Sequence, residues 1–314
     1  MNISVIITCH NEEEFIERCI RSVLNQTIFE KILEIIVILD SSTDNSEKII
    51  NELYKKCLKI KIIKSLSGSL SNSRNKGLNL VSGEYVAILD GDDYWLESKL
   101  ENQLKEFKVL DNTFGMIYTN YIDLFENGEK KKISVRSLNN YNQQQLKKYF
   151  CDDGPIVPST ILVKKKVFDE IGKFDENLKY YEDTDFFVRL LENYKVYHLN
   201  DFSCVKQRHK NQITNKLYNL INHGDKVIFK SIKRNKILFK LKNIRMARNR
   251  NKAAIQCITF YDEKSIAYKL ILQSLKLNFL NIKTWIILLI IIFPKSFNLF
   301  MINKIKQFIN INVT

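Results

Sequence analysis

The sequence predicts an α/β fold, with a doubly wound, mostly parallel sheet flanked by helices, continued by a basic helical region. Three observations carry this expectation. Four short apolar runs alternate with amphipathic stretches between Ile3 and Leu89, several of these runs end in a polar, acid-rich loop, and charge divides the chain into two unlike parts.

The elements follow in order. Ile3 to Thr8 is a β-branched run that reads as a buried strand. Glu13 to Asn25 spaces Phe15, Ile16, Cys19, Ile20, Val23 and Leu24 as one face of a helix. Glu34 to Leu39 is a second continuous strand, closed by the polar turn Asp40 to Asp44. A helix with Ile49, Ile50, Leu53 and Tyr54 on one face comes next. Ile60 to Ile63 is a third strand, Ser73 to Val81 a helix, and Tyr85 to Leu89 a fourth strand. Parallel neighbours need a crossover, and the intervening helices supply it; a ligand crevice is then expected at the carboxyl ends of the strands. Further on, Glu97 to Leu110 and Asp183 to Glu192 read as helices, Gly115 to Tyr121 and Ile161 to Val163 as strands, and residues 126–150 as polar, variable surface.

The 314 residues suit one large domain with an appendage, and 45% hydrophobic content with only 3 Pro and 9 Gly excludes disordered and collagen-like chains. The net charge of +14 is unevenly placed. Residues 206–314 hold 22 Lys and Arg against Asp225, Asp262 and Glu263, or +19, which leaves −5 on the first 205. This predicts an acidic working domain over residues 1–215 and a basic region over 216–314. Six scattered cysteines form no CxxC pair and read as small apolar residues in a reducing compartment. The start MNISVIITCHNEEE shows no signal-peptide pattern, so a cytoplasmic chain is expected.

Three carboxylate groups are expected at one sheet edge: Asp40 after strand two, Asp90-Gly91-Asp92 after strand four, and Glu182-Asp183-Asp185 at a helix start. Two carboxylates one residue apart on a glycine-relieved turn suit a hard divalent cation that bridges substrate phosphates, although an isolated pair of this kind is often a solvated turn. Glu182 and Asp183 complement a helix N-terminus, and one of them is also placed to take a proton from a hydroxyl. Asp185 is assigned to capping or fold support. Arg74, before a helical stretch, clamps phosphate or supports the pocket in this reading. His209, in the basic run Lys206 to Lys210, is either solvated or a metal or diphosphate ligand delivered by a closing loop.

In the basic region, Trp285 to Phe293 is an uninterrupted apolar run stopped by Pro294, followed by Phe297, Leu299, Phe300, Met301 and Ile302. It is shorter than the roughly 20 residues a spanning helix needs. With Lys276, Lys283, Lys295, Lys304 and Lys306 around it, it reads as a helix lying on an anionic membrane face, the alternative being a core helix packed on the globular domain.

Five blocks carry a family resemblance: SVIITCHNEEEFIERCIRSVLNQT, EIIVILDSSTDNS, LSNSRNKGLNLVSGEYVAILDGDDYW, GKFDENLKYYEDTDFFVRL and VKQRHKNQIT. In this order and spacing the chain, from about Ile3 to Thr214, resembles family 2 glycosyltransferases. These are inverting enzymes with the Rossmann-like GT-A fold. The resemblance implies a nucleotide-diphosphate sugar donor, with a UDP-sugar expected, and Mg2+ or Mn2+ held by Asp92, Asp90 and His209. It implies donor contacts at Asp40, Arg74, Asp90, Thr8, His10 and Glu12, and a catalytic base at Asp183 beside Glu182. Leu39 and Ser41 stand where the family's second block usually has Asp and Gly, and Thr8-Cys9-His10 where Pro-Thr-Tyr is common. These departures fall on the base-binding side.

The resemblance and the tail together imply transfer to a glycan or lipid-linked acceptor in cell-envelope or capsular polysaccharide synthesis, at the inner face of the plasma membrane. Two other readings share the composition. A nucleotidyltransferase would carry a glycine-rich basic loop after strand one, where this chain has Asn11-Glu12-Glu13-Glu14. A non-catalytic carbohydrate- or membrane-binding protein would not need both acidic motifs. No nucleic-acid-binding motif accompanies the basic residues, so no nucleic acid partner is expected.

Overall fold

The computed structural model describes residues 1–152, 156–209, 217–261 and 263–292. Its strands are β1 (Ile3–Cys9), β2 (Ile32–Asp40), β3 (Ile60–Ser65), β4 (Tyr85–Asp90), β5 (Tyr94–Trp95), β6 (Phe114–Phe125), β7 (Lys130–Ile133), β8 (Leu162–Lys164) and β9 (Lys195–Arg208). The helices are α1 (Ile16–Leu24), α2 (Ser46–Tyr54), α3 (Leu70–Leu78), α4 (Lys99–Val109), α5 (Gln145–Asp152), α6 (Lys165–Ile171), α7 (Glu182–Asn193), α8 (Leu217–Arg234), α9 (Lys242–Gln256), α10 (Lys264–Leu277) and α11 (Ile282–Ile292). By internal contacts the chain divides into two compact units, Met1–Lys148 with Gly154–Lys210, and Tyr149–Asp153 with Asn211–Thr314. The expected boundary at residue 215 lies outside the described residues.

The sheet of the first unit runs β3-β2-β1-β4-β8-β6-β9-β5, with β7 on the outer side of β6. β3, β2, β1 and β4 are parallel, as their continuous apolar runs predict for strands covered on both faces. β1 is buried along its whole length. β8 then pairs antiparallel with both β4 and β6, and β6 pairs parallel with β9, so the second half of the sheet is mixed. Register puts Thr8 beside Asp90 and Cys9 beside Leu39, so the loops after β1, β2 and β4 meet at one edge.

The helices bury their predicted faces with informative exceptions. α1 buries Ile16, Cys19, Ile20 and Val23. α2 buries Ile50 and Leu53, whereas Tyr54 is 43% exposed. α3 begins at Leu70, ahead of the expected Ser73, and buries the polar side chains of Ser71, Ser73, Arg74 and Asn75. It lies close to β1, because a Cβ on Gly77 would stand 2.6 Å from Cγ2 of Ile6.

Two stretches differ from expectation. Residues 126–150 are not all loose surface. β7 pairs with β6, Val135 and Leu138 are buried, and the backbone N–H groups of these two donate to Asn120 Oδ1 and Tyr118 Oη at 2.9 and 3.0 Å. The basic run Lys206 to Arg208 is not loop but the end of β9, paired with Asp123 to Phe125 of β6. Arg208 makes two hydrogen bonds to Asp123, at 2.7 and 3.1 Å, which compensates that charge in the sheet.

In the second unit, α9, α10 and α11 pack Ala253, Ala254, Cys257, Ile258, Ala267, Ile271, Ile287, Ile290 and Ile291 into one cluster. A buried polar strut accompanies it: Asn251 donates to Thr284 at 2.8 Å and Ser274 to the Ala247 carbonyl at 3.0 Å. Of the apolar run, Trp285 to Ile292 belongs to α11; Phe293 and everything after it, with Lys295, Lys304 and Lys306, lie outside the described residues. Among the described residues no helix is long and apolar enough to cross a membrane.

Glu34 of β2 shows how a charge is accommodated in this core. Its buried carboxylate accepts from Ser4 Oγ at 2.7 Å, from Ser82 N and Oγ at 2.7 Å, and from Lys61. Burial raises its pKa, but the hydrogen bonds from Lys61, Ser4 and Ser82 outweigh that and hold it at about 2. A carboxyl depressed by folding adds stability above its unfolded pKa of about 4.3, and that stability is lost as pH falls toward 2. Glu34→Gln is therefore expected to destabilise by roughly 1–3 kcal/mol near neutral pH. The difference should shrink below about pH 4; equal destabilisation at every pH in urea unfolding would refute this account.

Candidate active site

The acidic groups gather at the carboxyl edge of the parallel strands, held there by one buried cation. Arg74, 1% exposed on α3, donates from one guanidinium nitrogen to Asp90 Oδ1 at 3.0 Å and from another to Glu182 Oε1 at 2.8 Å. The end of β4 is thereby tied to the start of α7. Phe174 lies against the guanidinium, 5.4 Å from ring centroid to Cζ. Its backbone is locked to α3, since Asn75 donates to the Phe174 carbonyl and accepts from its N–H at 2.8 and 3.0 Å. Burial pushes the Glu182 pKa up to about 7, with Asp183 adding repulsion and Arg74 opposing it. Of the two roles considered for Arg74, the geometry is that of a pocket support.

Asp183, half-buried, is the second residue of α7, whose N-terminus follows Tyr181 in the left-handed region at φ 61°. Its Oδ1 accepts from Thr184 N at 2.6 Å. Asp185 is wholly buried and bonds Arg189 at 2.8 Å. Arg189 also donates to the carbonyls of Ile171, Gly172 and Lys173, so Asp185 serves the fold.

Glu12, Asp92 and His209 bring one potential ligand atom each within 4.8 Å of one another. His209 Nε2 lies 3.1 Å from Asp92 Oδ2. Glu12 Oε2 is buried with no hydrogen-bond partner among the described residues, and burial together with Asp92, Asp90 and Asp93 raises the Glu12 pKa to about 8. Clustered carboxylates of this kind, one oxygen orphaned and one imidazole beside them, fit a hard divalent cation. Asp90 is not in this set. Oδ1 of Asp90 accepts instead from Arg74 at 3.0 Å and from Thr8 at 3.3 Å. Gly91 fits the turn between them only as glycine, since a Cβ there would lie 2.8 Å from the Thr8 carbonyl oxygen.

His209 directly follows Arg208, the last residue of β9. Asp93, a residue to which the sequence reading gave no role, makes the connection. Its Oδ1 accepts from Gln207 N at 3.1 Å and its Oδ2 from Ser159 Oγ at 2.6 Å, while Ser159 Oγ accepts from Asp90 N at 3.2 Å. Arg18 adds a second tie, donating to Gln207 Oε1 at 3.0 Å and stacking on Tyr94 at 4.4 Å. A buried Asp after a DxD, facing the amide of a strand end, is the signal that marks this lock.

Asp40, 6% exposed, faces the loop before α3. It accepts from Ser67 N and Oγ at 2.9 Å each, from Gly68 N and Ser69 N at 3.2 Å, and from Ser73 Oγ at 2.7 Å. Burial raises its pKa, but these hydrogen bonds prevail and lower it to about 2. His10 Nδ1 stands 2.7 Å from the Asp40 carbonyl oxygen. The first loop is laced to the second: Asn11 N donates to Ser42 Oγ at 3.1 Å, Glu12 N to Ser46 Oγ at 3.0 Å, and Asn45 N to Glu13 at 2.9 Å. Ser41, where the resembled family has Gly, adopts φ 51°. The family's glycine thus answers a backbone requirement that this chain meets with Ser.

Residues 4–172 match the family described as Glycosyl transferase family 2. An uncharacterized glycosyltransferase of Methanocaldococcus jannaschii is 34% identical over 207 residues, which cover 64% of this chain and 68% of that protein. A chondroitin synthase of Pasteurella multocida is 28% identical over 230 residues, 73% of this chain and 22% of the synthase. The chain thus spans about a fifth of that relative and of the Pasteurella multocida hyaluronan synthase, of which it covers 21%. Among solved structures, S. aureus TarS 1-349 in complex with UDP-GlcNAc has a TM-score of 0.63 at 19% identity, covering 93% of this chain and 90% of that one. The mannosyltransferase PcManGT from Pyrobaculum calidifontis, in complex with GDP-Man and Mn2+, has a TM-score of 0.61 at 15% identity, covering 99% and 88%. These likenesses carry the fold, which is GT-A. The family match spans more than half of the sequence and includes Glu12, Asp40, Arg74, Asp90 and Asp92, and by it the chain belongs to glycosyl transferase family 2.

Proposed function

We propose that this chain transfers a sugar from a nucleotide-diphosphate donor, a UDP-sugar, to a hydroxyl of a glycan or lipid-linked acceptor with inversion at the anomeric carbon. The observation that carries the proposal is the pair of sites joined through one edge: the Glu12, Asp92 and His209 cluster, and Glu182-Asp183 tied to Asp90 by Arg74. The complexes of TarS with UDP-GlcNAc and of PcManGT with GDP-Man and Mn2+ support a nucleotide-sugar donor. The chondroitin and hyaluronan synthases among the relatives support a polysaccharide product of the cell envelope or capsule. The +19 charge of residues 206–314 supports work at the inner face of the plasma membrane.

Glu12, Asp92 and His209 would hold Mg2+ or Mn2+, which supplies charge neutralisation for the departing nucleoside diphosphate. Asp183 takes the proton of the acceptor hydroxyl as that oxygen attacks the anomeric carbon and the bond to the diphosphate oxygen breaks. Glu182, engaged by Arg74, sets the direction of α7 and is a positioning residue in this scheme. Arg74 also holds Asp90 at the edge, beside Thr8. Asp40 contributes through the Ser67 to Ser69 loop it orders, which with His10 would border the nucleobase.

Four outcomes test this reading. Asp183→Asn should lower transfer by roughly 10²–10⁴-fold while leaving the thermal shift given by UDP-sugar with Mn2+ in place; undiminished turnover would remove Asp183 as the base. Asp92→Ala should abolish the Mn2+ dependence of that thermal shift, and an unchanged Mn2+ titration would exclude Asp92 from the metal. Arg74→Met strips the cation from buried Glu182 and half-buried Asp90 and should cost about 3–5 kcal/mol in denaturant unfolding, with Arg74→Lys in between; a loss below about 1 kcal/mol would contradict the bridge. A panel of UDP-, GDP-, CMP- and dTDP-sugars in the same shift assay tests the donor, the UDP-sugars being expected to give the largest shift.

A further inference from the structure

The second unit carries an apolar edge that its own core does not use. In the turn between α10 and α11, Phe279, Leu280 and Ile282 are 64%, 90% and 71% exposed. Trp285 extends the edge and stiffens it: its ring meets Phe279 edge-on with centroids 5.1 Å apart, and its indole N–H donates to the Phe279 carbonyl at 2.9 Å. Leu289, 59% exposed, follows on the same stripe, since positions 282, 285 and 289 share one helical face. The opposite face of α11 packs Ile287, Ile290 and Ile291 against α9 and α10. α11 is apolar on both sides and covered on one.

Scattered exposed apolar residues need no explanation; five along one turn and one stripe do. The charge around them selects the partner. Lys276 is exposed and Lys283 half-buried at either side of the turn, and Lys269 is exposed farther back on α10. Residues 217–292 contain three acidic side chains in sequence, and Asp225 among them is engaged by Arg250 through two hydrogen bonds of 2.6 Å. A nucleic acid would use the lysines and leave the apolar stripe in water. A lipid surface with anionic headgroups uses both, because buried apolar area and attraction of Lys to anionic lipid add, and Trp favours the headgroup level.

We propose that the α10–α11 edge docks on an anionic phospholipid bilayer, with Phe279 and Leu280 entering the headgroup boundary and the exposed Lys276 and Lys269 facing lipid phosphates. This gives the membrane-face reading of the acceptor a specific contact. The contact itself does not depend on the transfer chemistry.

The test is co-sedimentation of the full chain with vesicles of equimolar phosphatidylglycerol and phosphatidylcholine, against pure phosphatidylcholine. Binding to the anionic vesicles is expected, weakened by added salt. The double variant Phe279→Ser with Leu280→Ser should reduce partitioning roughly tenfold or more, and Lys276→Glu with Lys269→Glu should remove the preference for the anionic vesicles. Thermal midpoint and the UDP-sugar shift should be unchanged in both, since these side chains are outside the core and the donor site. Wild-type partitioning indifferent to phosphatidylglycerol would overturn the proposal, as would full binding by the Phe279/Leu280 variant. A concentration-dependent dimer that this variant disperses, with vesicle binding unaltered, would overturn it too and assign the edge to a second copy of the chain. Failure of the donor assay alone would strike the transfer reading and leave the lipid contact standing.

Discussion

The carboxyl edge of this sheet depends on one buried guanidinium. Glu12, Asp90, Asp92, Asp93, Glu182 and Asp183 crowd a region in which like charges repel, and burial penalises Glu12, Asp93 and Glu182. Arg74 is what permits the end of β4 and the start of α7 to approach, by offering separate nitrogens to Asp90 and Glu182. Its own placement is inherited. Asp40 anchors the entry to α3 through Ser69 N and Ser73 Oγ, and Gly77 lets the helix lie close on β1. The end of β2 is thus coupled, through Asp40, to the helix that carries the arginine.

The same edge separates two carboxylates that sequence spacing makes equivalent. Asp90 and Asp92 stand one residue apart, and nothing in that spacing says which is engaged by protein. The deciding partners, Arg74 and Thr8 for Asp90 and Glu12 and His209 for Asp92, come from other elements. Among the described residues Glu12 keeps a buried oxygen without a hydrogen-bond partner, and the proposed cation would relieve the penalty of burying that anion.

The parallel half of the sheet was legible because strands buried on both faces write themselves as unbroken runs of Ile, Val and Leu, as in Ile3 to Thr8 and Glu34 to Leu39. α3 was harder. It buries Ser71, Ser73, Arg74 and Asn75, so its inward face is polar and the apolar period that finds α1 is missing. β9 escaped for a related reason: Lys206 and Arg208 belong to the strand, and only their tertiary partners, with Asp123 facing Arg208, make a strand of a basic run. The family's glycine at position 41 was noticed as a departure, yet the positive φ that explains it is a property of the folded loop.

His209 illustrates how much of a site can be set by backbone pairing. A ligand on a loop must be ordered when the ion arrives, and that entropy is charged against binding. Here the residue before it, Arg208, is the last of β9 and is held to Asp123, and Gln207 N is bound by Asp93 from within the DGDD turn itself. Because Asp93 lies one residue from Asp92, the element carrying one ligand grips the element carrying another, and Ser159 links both to the Asp90 amide. Strand register and a buried hydrogen bond thus set the 3.1 Å between His209 Nε2 and Asp92 Oδ2. A cation bound there, as proposed, would meet side chains already placed by backbone pairing.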